Sequence, residues 1–149
     1  MRRPVNEDSV ATPHIDLPDQ VLARKGYLYV VADGLGGHRE GKTASDLAAR
    51  VVMQEYYADP DTDVRQSLPR AIQAANREVH HLAQTPGYEK MGTTVVAAAV
   101  RGNDLVVGHV GDSRAYLVRP GETRVLTQDH TWVAEQLRAG VLTPEQAEG

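Results

Sequence analysis

One stretch, Tyr27 to Lys42, constrains this chain more than any other: YLYVVADGLGGHREGK. Its first six residues, Tyr27 to Ala32, are apolar and β-branched, and that composition predicts a strand buried on both faces. Asp33 follows at once. Gly34, Gly36, Gly37 and Gly41 come next, and then a helical pattern begins. A carboxylate at the end of a buried strand is held rigidly, and glycines beyond it let the backbone approach an ion or a phosphate closely. Hard divalent cations take such oxygens from carboxylates, main-chain carbonyls and water. An ordinary strand-to-helix turn also uses Asp and Gly. This stretch alone therefore leaves a metal site and a plain turn both open.

The rest of the chain supplies one domain's worth of elements. Thr12 to Arg24 carries Pro13 and Pro18 and is expected to be a loop. From Lys42 to Tyr57, apolar residues at Ala44, Leu47, Ala48, Val51, Val52 and Tyr56 follow the steps of an amphipathic helix, which Asp59-Pro60-Asp61 ends. A second helix is predicted from about Val64 to Leu82, with the two helices antiparallel on one face of a sheet. His80 and His81 are adjacent, so on a helix they diverge and cannot share one metal; they are expected at the surface or the helix end. Gly92 to Val100 reads as one buried strand, Gly102-Asn103-Asp104 as a tight hairpin, and Leu105 to Val110 as the returning strand. Further strands at Arg114 to Arg119 and Thr123 to Leu126 would continue an antiparallel meander. A helix from about Thr131 to Ala139, which Asp129 could cap, and a further turn at Thr143-Pro144-Glu145 close the sequence.

Composition excludes several functions. With no cysteine there is no disulfide, thiolate metal site or cysteine nucleophile. Sixteen Lys and Arg against twenty Asp and Glu create no field that favours nucleic acid or an anionic membrane. No apolar run approaches the roughly 20 residues of a membrane span, and Met1-Arg2-Arg3 is followed by polar residues. A soluble cytoplasmic domain is the expectation. A P-loop or dinucleotide fold is disfavoured, because GxxxxGK[ST] is absent and a meander contradicts a parallel sheet.

Read alone, Arg3, Asn6, Glu7 and Asp8 are a polar N-terminal tail. Taken with four other motifs they become part of a pattern. Arg3 to Asp8 (RPVNED), Val31 to His38 (VADGLGGH), Met91 to Thr94 (MGTT), Val110 to Tyr116 (VGDSRAY) and Leu126 to His130 (LTQDH) occur in this order. Together they resemble the metal-dependent type 2C protein phosphatases in their bacterial form. The resemblance implies an α+β fold, an α-β-β-α sandwich of antiparallel sheets flanked by helices. It implies a serine/threonine phosphoprotein phosphatase that hydrolyses phosphoesters with a water activated at a binuclear Mn²⁺ or Mg²⁺ centre, with a third ion in some members. By the same resemblance Asp33 bridges the two ions and the Gly34 carbonyl binds one. Glu7 and Asp8 belong to the same cluster, Arg3 holds the substrate phosphate, and Asp112 helps bind a third ion. Ser113 and Arg114 are expected to shape their turn. The leaving-group acid of the animal relatives falls at Leu35 here, so it does not carry over. His38 is a candidate acid by proximity, with a structural role in the glycine loop as the alternative. His109 and His130 are expected to be structural.

The family domain continues further, with two more metal-binding aspartates in motifs absent here after Asp112. Residues 1–149 are therefore expected to form a single, partial domain, with little or no phosphatase activity alone. Unpaired strand edges and apolar faces would invite dimerisation or strand exchange. The implied partners are proteins phosphorylated on Ser or Thr by opposing kinases, with no nucleic acid and no membrane. The alternative is a phosphatase-like module that binds or regulates without catalysis.

Overall fold

The computed structural model describes residues 6–13, 17–131, 135, 138 and 139. Arg3 and the turn at Thr143-Pro144-Glu145 lie outside them.

The main sheet is built around β2 (Tyr27–Leu35). The strand pairs antiparallel with β1 (Asp8–Ala11) on one side and with β4 (Val95–Arg101) on the other. β5 (Asp104–Val110) pairs with β4 across the Gly102-Asn103 turn, and β3 (Gly92–Thr93) pairs with the end of β2. The path order is β1-β2-β4-β5, so β1 is an edge strand. A separate hairpin joins β6 (Tyr116–Arg119) and β7 (Glu122–Val125).

Two long helices cover one face of this sheet. α2 (His38–Ala58) and α3 (Val64–Ala83) pack with the sheet into a core containing Leu28, Val30, Val52, Tyr56 and Leu68, all inaccessible to solvent. A short loop of alternate aspartates joins the helices. Asp59, Asp61 and Asp63 each accept a hydrogen bond from the main-chain N two residues on. Arg70 from α3 pairs with both Asp59 (2.8 Å) and Asp61 (2.6 Å). His80 and His81 are exposed in the last turn of α3.

Four expectations need correction. β2 is buried on one face only: Leu28, Val30, Ala32 and Gly34 point to the helices, while Tyr27, Tyr29, Val31, Asp33 and Leu35 are exposed. A β-branched run satisfies either environment, so composition could not distinguish them. The segment Thr12 to Arg24 is not all loop, since α1 (Asp19–Lys25) starts after Pro18, whose main-chain O accepts from Val21 N and Leu22 N. The strand from Gly92 to Val100 is interrupted at Thr94, although Val31↔Val96 and Gly34↔Thr93 keep one register. The meander also breaks after β5, where residues 111–115 turn the chain away and β6 pairs with β7 instead. At the end of the described chain, Glu135 N to Thr131 O and Ala139 N to Glu135 O, both 2.9 Å, have helical spacing.

Candidate active site

The register of β1 on β2 sets Asp8 directly opposite Asp33. Opposed residues in an antiparallel pair share a face, and both aspartates lie on the exposed one. Ser9 and Ala32, one step along, point into the core. Two like charges so placed destabilise the pair. Oxygen donors in that arrangement suit a hard divalent cation, which would relieve the repulsion. The donor chemistry here therefore fits Mn²⁺ or Mg²⁺, with Gly34 next along the strand.

Glu7 behaves differently. It is 8% exposed, and a methyl group at Gly41 would lie 2.2 Å from its Oε2. Its carboxylate is thus directed at the first turn of α2 rather than out beside Asp8. The same contact explains two glycines of the loop. A Cβ on Gly34 would meet the Gly41 main-chain O at 2.0 Å, so β2 and α2 touch backbone to backbone. His38 opens α2; its side chain lies outside the described residues.

The MGTT and VGDSR motifs hold this end of β2. Thr94 N and Thr93 Oγ1 both donate to the Asp33 main-chain O, at 2.9 and 3.0 Å. Asp33 N donates to Thr94 Oγ1 (3.2 Å), which also lies 2.6 Å from Ser113 Oγ. That bond ties the turn carrying Asp112, which is exposed, to the same end of the sheet. Among the described residues, no group of three or more His, Asp or Glu side chains converges as a metal site. Asp8 and Asp33 are brought face to face, Glu7 is turned inward, and Asp112 sits on a separate turn.

The LTQDH segment latches that turn from behind. Arg114 donates to both oxygens of Asp129, at 2.8 and 2.6 Å. This guanidinium holds the Asp129 carboxyl below the usual carboxylate range. His109 Nε2 donates to the Gln128 main-chain O (2.6 Å), and His130 N donates to the Gly111 main-chain O (3.0 Å). The rings of His109 and His130 stack with centroids 4.5 Å apart. Ser113 and Arg114 thus anchor their turn, and His109 and His130 pack against each other beside it.

One group of residues was not legible in the sequence. Lys42, Ser9, Ser45 and Asp46 form a polar knot where β1 meets α2. The only available signal was the four-residue spacing of Lys42 and Asp46, which is common on helix surfaces.

The Protein phosphatase 2C family profile matches residues 4–136. Protein phosphatase PhpP of Streptococcus pneumoniae is 40% identical over 124 residues, covering 81% of this chain and 50% of that protein. Serine/threonine protein phosphatase PstP of Mycobacterium tuberculosis is 38% identical over 121 residues, covering 80% of this chain and 24% of that protein. The S. agalactiae serine/threonine phosphatase structure matches with a TM-score of 0.81 at 35% identity, over 100% of this chain and 60% of that one. The PstP catalytic domain, solved in complex with two manganese ions, matches with 0.74 at 34% identity, over 99% and 59%. The chain spans about half the length of PhpP. With the profile running from residue 4 to 136 and the aspartate pair in place, this chain belongs to the protein phosphatase 2C family.

Proposed function

We propose that residues 1–149 form part of the catalytic domain of a metal-dependent protein serine/threonine phosphatase. The observation that carries this reading is the outward pairing of Asp8 with Asp33. In it, Asp8, Asp33 and the Gly34 carbonyl supply oxygens to Mn²⁺ or Mg²⁺, and Asp112 serves a further ion. Glu7 acts from the inner side, through water or by fixing the loop. When bound, the ions lower the pKa of water and stabilise charge at phosphorus. Arg3 binds the substrate phosphate, for which a guanidinium fork is suited. His38 is the candidate proton donor to the leaving oxygen. The substrates are phosphoserine or phosphothreonine proteins that cytoplasmic kinases modify; no helix among the described residues is long and apolar enough to cross a membrane.

Alone, this chain turns over slowly or not at all. Two aspartates and a carbonyl make a weak site for a hard cation, which prefers six or more oxygens. That paucity of donors also favours a second reading, a binding or regulatory module that keeps the fold. The test is hydrolysis of a phosphothreonine peptide with Mn²⁺ and with chelator, beside Asp33→Ala. Metal-dependent turnover lost in Asp33→Ala would establish catalysis by these residues alone. Absence of turnover, with Mn²⁺ bound, supports the partial site. Absence of both supports the binding module.

A further inference from the structure

We infer that Lys42 is a positioning residue for the metal site, fixing Asp8 through its main chain; this rests on the metal-dependent reading above. Asp8 is the first residue of an edge strand only four residues long. Strand ends of this kind fray, because one flank has no neighbouring strand. Here α2 takes the place of that neighbour. Lys42 Nζ donates to the Asp8 main-chain O at 3.0 Å, to Ser9 Oγ at 2.9 Å and to Asp46 Oδ1 at 2.9 Å. Ser9 Oγ donates to Asp46 Oδ1 at 2.6 Å and lies 2.7 Å from Ser45 Oγ. Ser45 Oγ donates to the Glu7 main-chain O at 2.5 Å. On the other side, Asp8 N donates to Asn6 Oδ1 at 2.9 Å. The backbone is therefore gripped at Glu7 and at Asp8, and the next residue, Ser9, is anchored by its hydroxyl. Ser9 and Ser45 are buried within this knot, while Lys42 closes it from the solvent side.

Lys42 allows a test by sign. A lysine held on the Asp8 main chain opposes a dication arriving at Asp8, so if its charge alone mattered, removing it would tighten metal binding. If it positions Asp8, removing it loosens binding despite the favourable change in charge. Supporting groups behind metal ligands commonly contribute about 10- to 100-fold in affinity. The experiment is a Mn²⁺ titration of the ¹⁵N-labelled chain, read as paramagnetic broadening of the amides around Asp8 and Asp33. Wild type, Lys42→Met, Lys42→Arg and Asp33→Asn are compared. Lys42→Met is expected to need about tenfold more Mn²⁺ for half-broadening, with Lys42→Arg within about twofold of wild type. Equal or tighter binding by Lys42→Met overturns the proposal. If Lys42→Met loses its dispersed spectrum, Lys42→Gln is read instead: it keeps a donor without the charge, so positioning predicts binding at least as tight as wild type, and about tenfold weaker binding overturns the proposal. Broadening in wild type no greater than in Asp33→Asn would instead remove the metal reading itself, and this proposal with it.

Discussion

Gly34 and Gly41 show how little room a single carbon has at this site. At Gly34 a methyl group would run into the Gly41 main-chain O and C, at 2.0 and 2.4 Å. Backbone cannot swing aside, so Gly34→Ala should cost about 1–3 kcal/mol or more by overpacking. At Gly41 the nearest atom is the end of the Glu7 side chain. Gly41→Ala should cost less and displace that carboxylate, an order that urea unfolding of the two variants checks. Tyr56 is a second such residue. Its buried hydroxyl donates to the Lys25 main-chain O at 2.5 Å, and Lys25 Nζ sits over its ring, 4.6 Å from the centroid. Burial pushes the Tyr56 hydroxyl from 10.0 up to about 12. A raised folded pKa stabilises fully below the unfolded value and loses that effect as pH climbs from 10 towards 12. Tyr56→Phe should therefore lower stability by about 1–2 kcal/mol at neutral pH, through the lost hydrogen bond. It should also flatten part of the alkaline fall in Tm, with half-buried Tyr57, also raised, leaving the remainder.

Among the elements, the seam at Thr94 and the loop between α2 and α3 have separate purposes. Thr94 Oγ1 replaces a ladder partner for Asp33 N and reaches Ser113. Thr94→Val keeps the shape but strands these groups, for an expected loss of about 1–3 kcal/mol, and Thr94→Ser should restore most of it in thermal unfolding. In the loop, Arg70 holds the carboxyls of Asp59 and Asp61 below their usual 3.8. Depressed folded values stabilise above the unfolded pKa and lose that effect as pH falls below about 4. Arg70→Ala should flatten the acid limb of a Tm-against-pH curve, with a small change at pH 7, because these pairs are exposed. The helices were legible in the sequence because the aspartate–proline break and the apolar stripe agree: α3 begins at Val64 as expected. α2 begins at His38, earlier than its stripe, because close packing of Gly41 on Gly34 recruits the glycine loop into the first turn. α1 escaped because seven residues offer hardly two turns of pattern.

At the scale of the molecule, the sheet has one covered face and one open face. Val10, Tyr27, Tyr29, Val31, Val100 and Leu105 are all exposed there, and apolar residues gathered on one face favour association. The chain should self-associate with rising concentration in sedimentation velocity, and Tyr29→Lys should shift it towards monomer. Motif order made the family legible and the register placed Asp8 and Asp33 together. The grip of α2 on β1 was illegible, because Ser9 and Ser45 are 36 positions apart and neither carries a pattern. Bare backbone contact between Gly34 and Gly41 has one more result. Strand and helix cannot slide past one another there, so the amides of Gly34 and of the first turn of α2 should exchange with deuterium at a common rate, opening as one cooperative unit.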